Sequence, residues 1–195
     1  MAKPNIINRQ VLIDAAKLCL VEKGIEKFTL KAVAEEAGVT QGTVYYHFRT
    51  KEQLLLDLVK DICDHSWNDI AQQQNHENIV KYALESAKNR SSDEAFFHQL
   101  FFTLTVASFQ NEKIREQLAE VLQAENKALF QHLSKIWRQS PIEGVSLETW
   151  GVFFNALIDG LAIQNLISKN VQIETFFEEL EQLFIGLTKL SANKK

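Results

Sequence analysis

Thr29-Leu-Lys-Ala-Val-Ala-Glu-Glu-Ala-Gly-Val-Thr-Gln-Gly-Thr-Val-Tyr-Tyr-His-Phe-Arg-Thr-Lys-Glu-Gln-Leu54 is the stretch on which the reading of this chain turns. At helical spacing it holds two short helices around a tight turn. Thr29 is placed to cap the first, whose apolar positions Leu30, Val33, Ala34 and Ala37 recur at i, i+3, i+4 and i+7 and include small residues that permit close helix contact. Gly38 stops that helix in a left-handed turn. After Gly38-Val39-Thr40 the pattern predicts a very short helix from Gln41 to about His47, with Val44 and Phe48 turned inward. So short a helix cannot hold itself up in water and must be clamped by its neighbours. Its outer side would present Gln41, Thr43, Tyr45, Tyr46 and His47, which are hydrogen-bonding groups rather than charges. Gln and Thr side chains can reach base edges, whereas hydroxyls, imidazole and ammonium groups suit phosphate oxygens.

On the N-terminal side, a helix expected to start near Ile7 places Leu12, Ala16, Cys19 and Leu20 on one face until Gly24 ends it. On the C-terminal side, Thr50-Lys51-Glu52-Gln53 has the T-x-x-Q form of a capping box, which brings the Lys51 ammonium and free backbone amides to one positive helix end suited to a phosphate. Charge is distributed to match. Residues 1–51 carry eight Lys/Arg against five Asp/Glu, an excess of three positive charges, which leaves −7 on the rest of a chain whose net charge is −4. A basic face on an acidic body fits a polyanion reader joined to a second function.

This run, preceded by Ala15-Ala16 and Glu22-Lys23-Gly24, strongly resembles the DNA-binding domain of TetR-family regulators. The resemblance covers roughly the first sixty residues. It implies that Thr29 caps the second helix near a phosphate and that Thr40, Gln41 and Thr43 begin a recognition helix in the major groove. It further implies that Tyr45 meets a base methyl or the backbone, that Tyr46 and His47 meet phosphate or sugar, and that Lys51 pins the start of the fourth helix to the DNA backbone. No basic residue lies between Thr40 and His47.

The fold expected is all-α: a DNA-binding domain over residues 1–50 and a helical effector-binding and dimerisation domain over residues 51–195. Only 2 prolines and 7 glycines punctuate the sequence, and no strand alternation is visible. A connecting helix is expected to run from Leu54 to about Gln74. Further helices are drawn over Glu77–Asn89, Ser92–Gln110, Asn111–Gln139, Leu147–Lys169 and Ile173–Leu190, with a capping box at Ser91 and Glu94 and a break at Ser140-Pro141-Ile142-Glu143-Gly144.

Phe96-Phe97-His98-Gln99-Leu100-Phe101-Phe102 is apolar nearly all round a helix and must be central. It either fills a core or lines an effector cavity. The candidate lining is Trp67, Phe97, Phe101, Phe102, Thr105 and Trp137, with His132 as a further possibility, and the effector class is apolar or aromatic. The last two helices carry more apolar surface than one body can hide. Phe153, Leu157, Leu161, Phe177, Leu180 and Phe184 are the candidate residues of a homodimer interface, and Gly151, Gly160 and Gly186 either permit close helix crossing or are tolerated weak points.

Enzymatic chemistry is not expected. His47, His65, His76, His98 and His132 lack metal-ligand spacing, so neither metal nor cofactor is implied, and no Gly-rich phosphate loop or GxSxG is present. Cys19 and Cys63 sit in apolar helical stretches and read as reduced core thiols. No apolar signal core opens the chain and no unbroken span-length apolar run is visible, which points to a cytoplasmic protein without a membrane partner. The function expected is a homodimeric repressor that binds a near-palindromic DNA operator and is released by a small molecule. An activator, a regulator answering to a protein, and a helical interaction protein without specific DNA binding remain as alternatives.

Overall fold

The computed structural model describes residues 8–72, 76–90, 96–168 and 172–192, and all regular structure there is helical. In chain order the helices are α1 (Arg9–Lys23), α2 (Leu30–Glu36), α3 (Gln41–Phe48), α4 (Lys51–Ala71), α5 (His76–Arg90), α6 (Phe96–Ser108), α7 (Glu112–Ile136), α8 (Leu147–Ile167) and α9 (Ile173–Ala192). The expected helix limits at Ile7, Gln74, Ser92 and Lys169 and the expected cap pair Ser91 and Glu94 lie outside the described residues.

Local chemistry sets the helix ends. The side chains of Asn8, Thr29, Thr40 and Ser146 accept from the backbone amides of Val11, Ala32, Thr43 and Thr149, satisfying first-turn donors that the helices themselves cannot. Gly24 and Gly38, at φ +72° and +65°, end α1 and the turn after α2 in conformations that a Cβ would strain. The Thr50 box forms only by half: Gln53 N–H donates to Thr50 Oγ1 at 3.1 Å, but the Gln53 side chain turns forward to Asp57 Oδ1.

The chain forms two compact units. The first comprises the described parts of Met1–Ile62 together with Gln99–Leu118. It runs beyond the expected limit at residue 50 because Leu54, Leu55, Leu58 and Val59 are fully buried or nearly so, alongside Leu12, Phe28, Val33, Val44 and Phe48. Ion pairs Arg9–Asp57 and Lys17–Asp61 tie this part of α4 to α1. Cys19 is buried here, and burial pushes its thiol pKa up, leaving it an inert core group.

The second unit comprises the described parts of Cys63–His98 and Ala119–Lys195. Its core is an aromatic stack. Trp137 lies parallel to Phe184 with ring centroids 5.0 Å apart and meets Trp150 edge-on at 5.8 Å, with Phe154, Leu161, Phe177 and Leu180 packed around them. Both of these indoles are satisfied: Trp137 Nε1–H donates to Thr188 Oγ1 at 2.8 Å, and Trp150 Nε1–H to Ser140 Oγ at 3.1 Å. α7 and α8 cross closely at Gly151, where a Cβ would stand 3.0 Å from the Asn126 carbonyl oxygen. α8 is long and apolar enough to cross a bilayer by length and composition. It carries Asp159, which pairs with His98, and it buries Trp150, Phe154 and Leu161, so it serves as a core helix of this unit.

Candidate nucleic-acid interface and effector cavity

α3 is short, and its support comes from three sides. Val44 and Phe48 are fully buried beneath it. From α1, Arg9 forms an ion pair with Asp57 of α4, places its guanidinium 4.9 Å above the Phe48 ring, and reaches the His47 carbonyl at 3.4 Å. A cation at the end of α3 also offsets the partial negative charge of its last carbonyls. Gln10 and Lys17 of α1 both engage Asp61 of α4, fastening the same two helices one turn further on. The helix is thus held by residues that face away from its outer surface.

That outer surface carries the residues expected there. Gln41 is exposed and has no side-chain partner among the described residues. Tyr45 and Tyr46 are 52% and 69% exposed, so they are not core aromatics. Thr40 has a structural role: its hydroxyl caps α3 and lies 3.0 Å from the Thr43 hydroxyl, which orients Thr43 at the first turn. His47 is partly covered. Thr29 is exposed while its Oγ1 caps α2 at 3.0 Å. Lys51 is half-buried, with its ammonium 3.4 Å from the Ile25 carbonyl and 5.7 Å above the Phe28 ring. That bond uses one of three ammonium donors and aims the group from a fixed stem.

Sequence reasoning passed over Arg49. Its guanidinium lies 5.6 Å from the Tyr45 ring and 5.7 Å from the Tyr46 ring, so an exposed cation and two phenols share one surface at the end of α3. The signal was present, since Arg49 is the first basic residue after a run that lacks one. Gln41 and Thr43 at one end and Tyr45, Tyr46 and Arg49 at the other give base-edge chemistry followed by phosphate chemistry along one short helix.

Residues 12–58 match the family model described as bacterial regulatory proteins, tetR family. The chain is TetR-like, with the family's own module over residues 12–58. Among curated relatives, the HTH-type transcriptional regulator TtgR of Pseudomonas putida is 28% identical over 171 residues, covering 78% of this chain and 77% of its own. The HTH-type transcriptional regulator BetI of Escherichia coli is 26% identical and covers 92% of each chain. Among solved structures, a TetR-family regulator from Rhodococcus sp. superposes with a TM-score of 0.70 at 19% identity, over 92% of this chain and 97% of the other. The relatives are regulators rather than enzymes. Among the described residues of this TetR-like chain, no group of three His, Cys, Asp or Glu is placed to hold a metal ion.

The second unit of the regulator contains a mainly apolar cavity of about 90 Å³. α4 contributes Trp67 and Ile70, α5 contributes Ala83, Leu84 and Ala87, α7 contributes Leu129, His132, Leu133 and Ile136, and α8 and α9 close it with Phe154, Asn155, Ile158, Leu180 and Phe184. Trp67 and His132 stack nearly parallel, with centroids 5.5 Å apart. Of the residues expected at a cavity, Trp67 and His132 are there. Phe97 is buried beside His98, Trp137 fills the aromatic core, and Phe101, Phe102 and Thr105 belong to the first unit, so none of these lines it. Their apolar character was legible, but a filled core and a cavity wall share the same composition.

The residues expected at a dimer interface are likewise redistributed. Leu161, Phe177, Leu180 and Phe184 are buried inside the unit, and Leu157 packs partly against its core, because those helix faces close the aromatic stack. Phe153 remains 46% exposed, on a stripe of α8 with Val152, Gly160, Ile163 and Ile167. α9 has a matching stripe of Leu183, Gly186 and Leu190. Among the described residues, no atom beyond each glycine's chain neighbours and own helix backbone lies within 4 Å of a Cβ built at Gly160 or Gly186.

Proposed function

We propose that this regulator is a repressor that binds a near-palindromic DNA operator as a homodimer and lets go when a small molecule occupies the cavity lined by Trp67 and His132. The carrying observation is the division of labour on α3. Val44, Phe48 and Arg9 hold it, which leaves Gln41, Thr43, Tyr45, Tyr46 and Arg49 available to DNA. Thr29, His47 and Lys51 serve as its phosphate-side flanks. The partner for the α8 and α9 stripes is a second copy of the chain, in which the bare Gly160 and Gly186 allow close backbone approach. Its place of work is the cytoplasm, with the DNA.

Ligand release acts by population shift: the molecule must prefer the conformation whose recognition helices are wrongly spaced, by several kcal/mol if binding is to be switched off from near saturation. The test is selection of the purified protein on random duplexes, followed by a salt titration on the enriched sequence. An inverted repeat with half-sites about one helical turn apart, or a multiple of it, is the expected result. Failure of any sequence to enrich over random duplex overturns the reading in favour of an interaction protein.

A further inference from the structure

Resting on the ligand-controlled reading above, the chemistry of the cavity narrows the class of molecule it takes. Of the three tryptophans, Trp137 and Trp150 place their indole N–H on hydroxyl oxygens. Trp67 does not: its Nε1 is shielded from solvent and has no partner among the described residues, and the same holds for Nδ1 of the stacked His132. A buried donor left unmade is costly, and an indole nitrogen can only donate. Two such atoms sit on two stacked residues that line one cavity, and both are covered by their surroundings, so an oxygen reaches them once the Trp67–His132 stack shifts to admit it.

The walls also say what the cavity refuses. None of the lining residues is an Asp or Glu, so no carboxylate there offsets a buried positive charge. Asn155, the other polar group, donates its amide to Asn126 Oδ1 at 2.9 Å. Burial lowers the His132 imidazole pKa, and Lys135, one turn away on the same helix, adds a positive field that lowers it further. We infer that the cavity selects a compact, neutral, ring-bearing molecule with one hydroxyl or carbonyl oxygen, which accepts from Trp67 Nε1–H and bonds to His132 Nδ1, and that it discriminates against organic cations. The volume of about 90 Å³ is below the roughly 150 Å³ that houses a benzene ring, so the walls must move outward to admit a single ring.

Three probes of nearly equal shape test this by calorimetric titration of the full chain at neutral pH: p-cresol, p-xylene, and 4-methylbenzylamine, which is protonated there. The expected order is p-cresol about tenfold tighter than p-xylene, with the ammonium compound weakest. Trp67→Phe keeps a ring but removes the N–H, and should shrink the cresol preference to less than about threefold while leaving p-xylene affinity nearly unchanged. Ala83→Phe, which fills the cavity from α5, should abolish binding of all three, and thermal unfolding confirms that both variants are folded. Tighter binding of the ammonium compound than of p-cresol, a cresol preference unaffected by Trp67→Phe, or absence of binding by any probe at millimolar concentration each overturns the inference. Release of the selected duplex is read in parallel. Cresol binding in the expected order without any release overturns ligand control while the assigned cavity chemistry stands, and release by the ammonium compound alone does the reverse.

Discussion

The backbone amide of Thr50 donates to the carbonyl of Phe48 across 2.7 Å, closing a γ-turn whose middle residue, Arg49, stands at φ +64° and ψ −47°. Such a turn is strained for a residue with a Cβ, by about 1–2 kcal/mol. It is retained where the chain must leave α3 at once, so that Thr50 can cap α4.

Arg49→Gly should therefore hold or raise the thermal midpoint, since relief of that strain exceeds the roughly 0.5–1 kcal/mol of extra unfolded-state freedom that glycine brings. The same change should weaken binding to every duplex and lower the salt slope by about one. A fall in stability with unchanged DNA affinity would reverse the assignment.

Gly151 and Gly160 make a paired test on one helix. Gly151→Ala drives a methyl against the Asn126 carbonyl and the Phe130 amide and should cost about 1–3 kcal/mol in denaturant unfolding. Gly160→Ala meets no packing neighbour among the described residues and should stabilise α8 by up to about 1 kcal/mol in a monomer. If the α8 stripe is the self-association face, sedimentation will show weaker dimerisation in this variant despite the better helix former. Undiminished dimerisation would locate the interface elsewhere.

Gln41→Ala is expected to cost roughly 1–3 kcal/mol on the selected operator and little on random duplex. Lys51→Ala should lose affinity on both about equally. Because the Lys51 ammonium also holds the Ile25 carbonyl, it should cost a further 0.5–1.5 kcal/mol of stability, by order of magnitude. Equal losses on operator and random DNA for Gln41→Ala would remove it from base reading.

Burial, with Lys135 nearby, holds the His132 imidazole pKa below its ordinary value of 6.5. The unfolded chain therefore takes up a proton near 6.5 that the folded chain resists, and stability must fall as pH drops below that value until the folded imidazole titrates. The slope from this group is at most about 1.4 kcal/mol per pH unit. His132→Phe should flatten the change in urea midpoint between pH 7.5 and 5.5, and an unaltered pH profile would show that the imidazole titrates normally.

The caps and turns were the most legible parts of the sequence, because their chemistry is local: Thr29, Gly38 and Thr40 do what their residue types require a few positions away. The α3 face was legible for the same reason, with Val44 and Phe48 spaced to point inward. What the sequence could not convey was which apolar face meets what. Phe97, Phe101 and Trp137 have the composition of a pocket wall, yet they fill cores, and the difference depends on whether distant helices leave a gap. Arg9, the clamp on α3, was also missed, since its partners lie 38 and 48 residues away and no spacing rule reaches that far.

Arg9, Val44 and Phe48 keep α3 in place, while Gln41, Tyr45 and Tyr46 take no part in holding it. If these outer residues read DNA as proposed, a duplicated copy of this protein could drift in what it recognises without first losing its shape. New target sequences would then be reachable by single substitutions at positions where selection on stability is nearly silent, and overall similarity would be a poor guide to what each descendant binds.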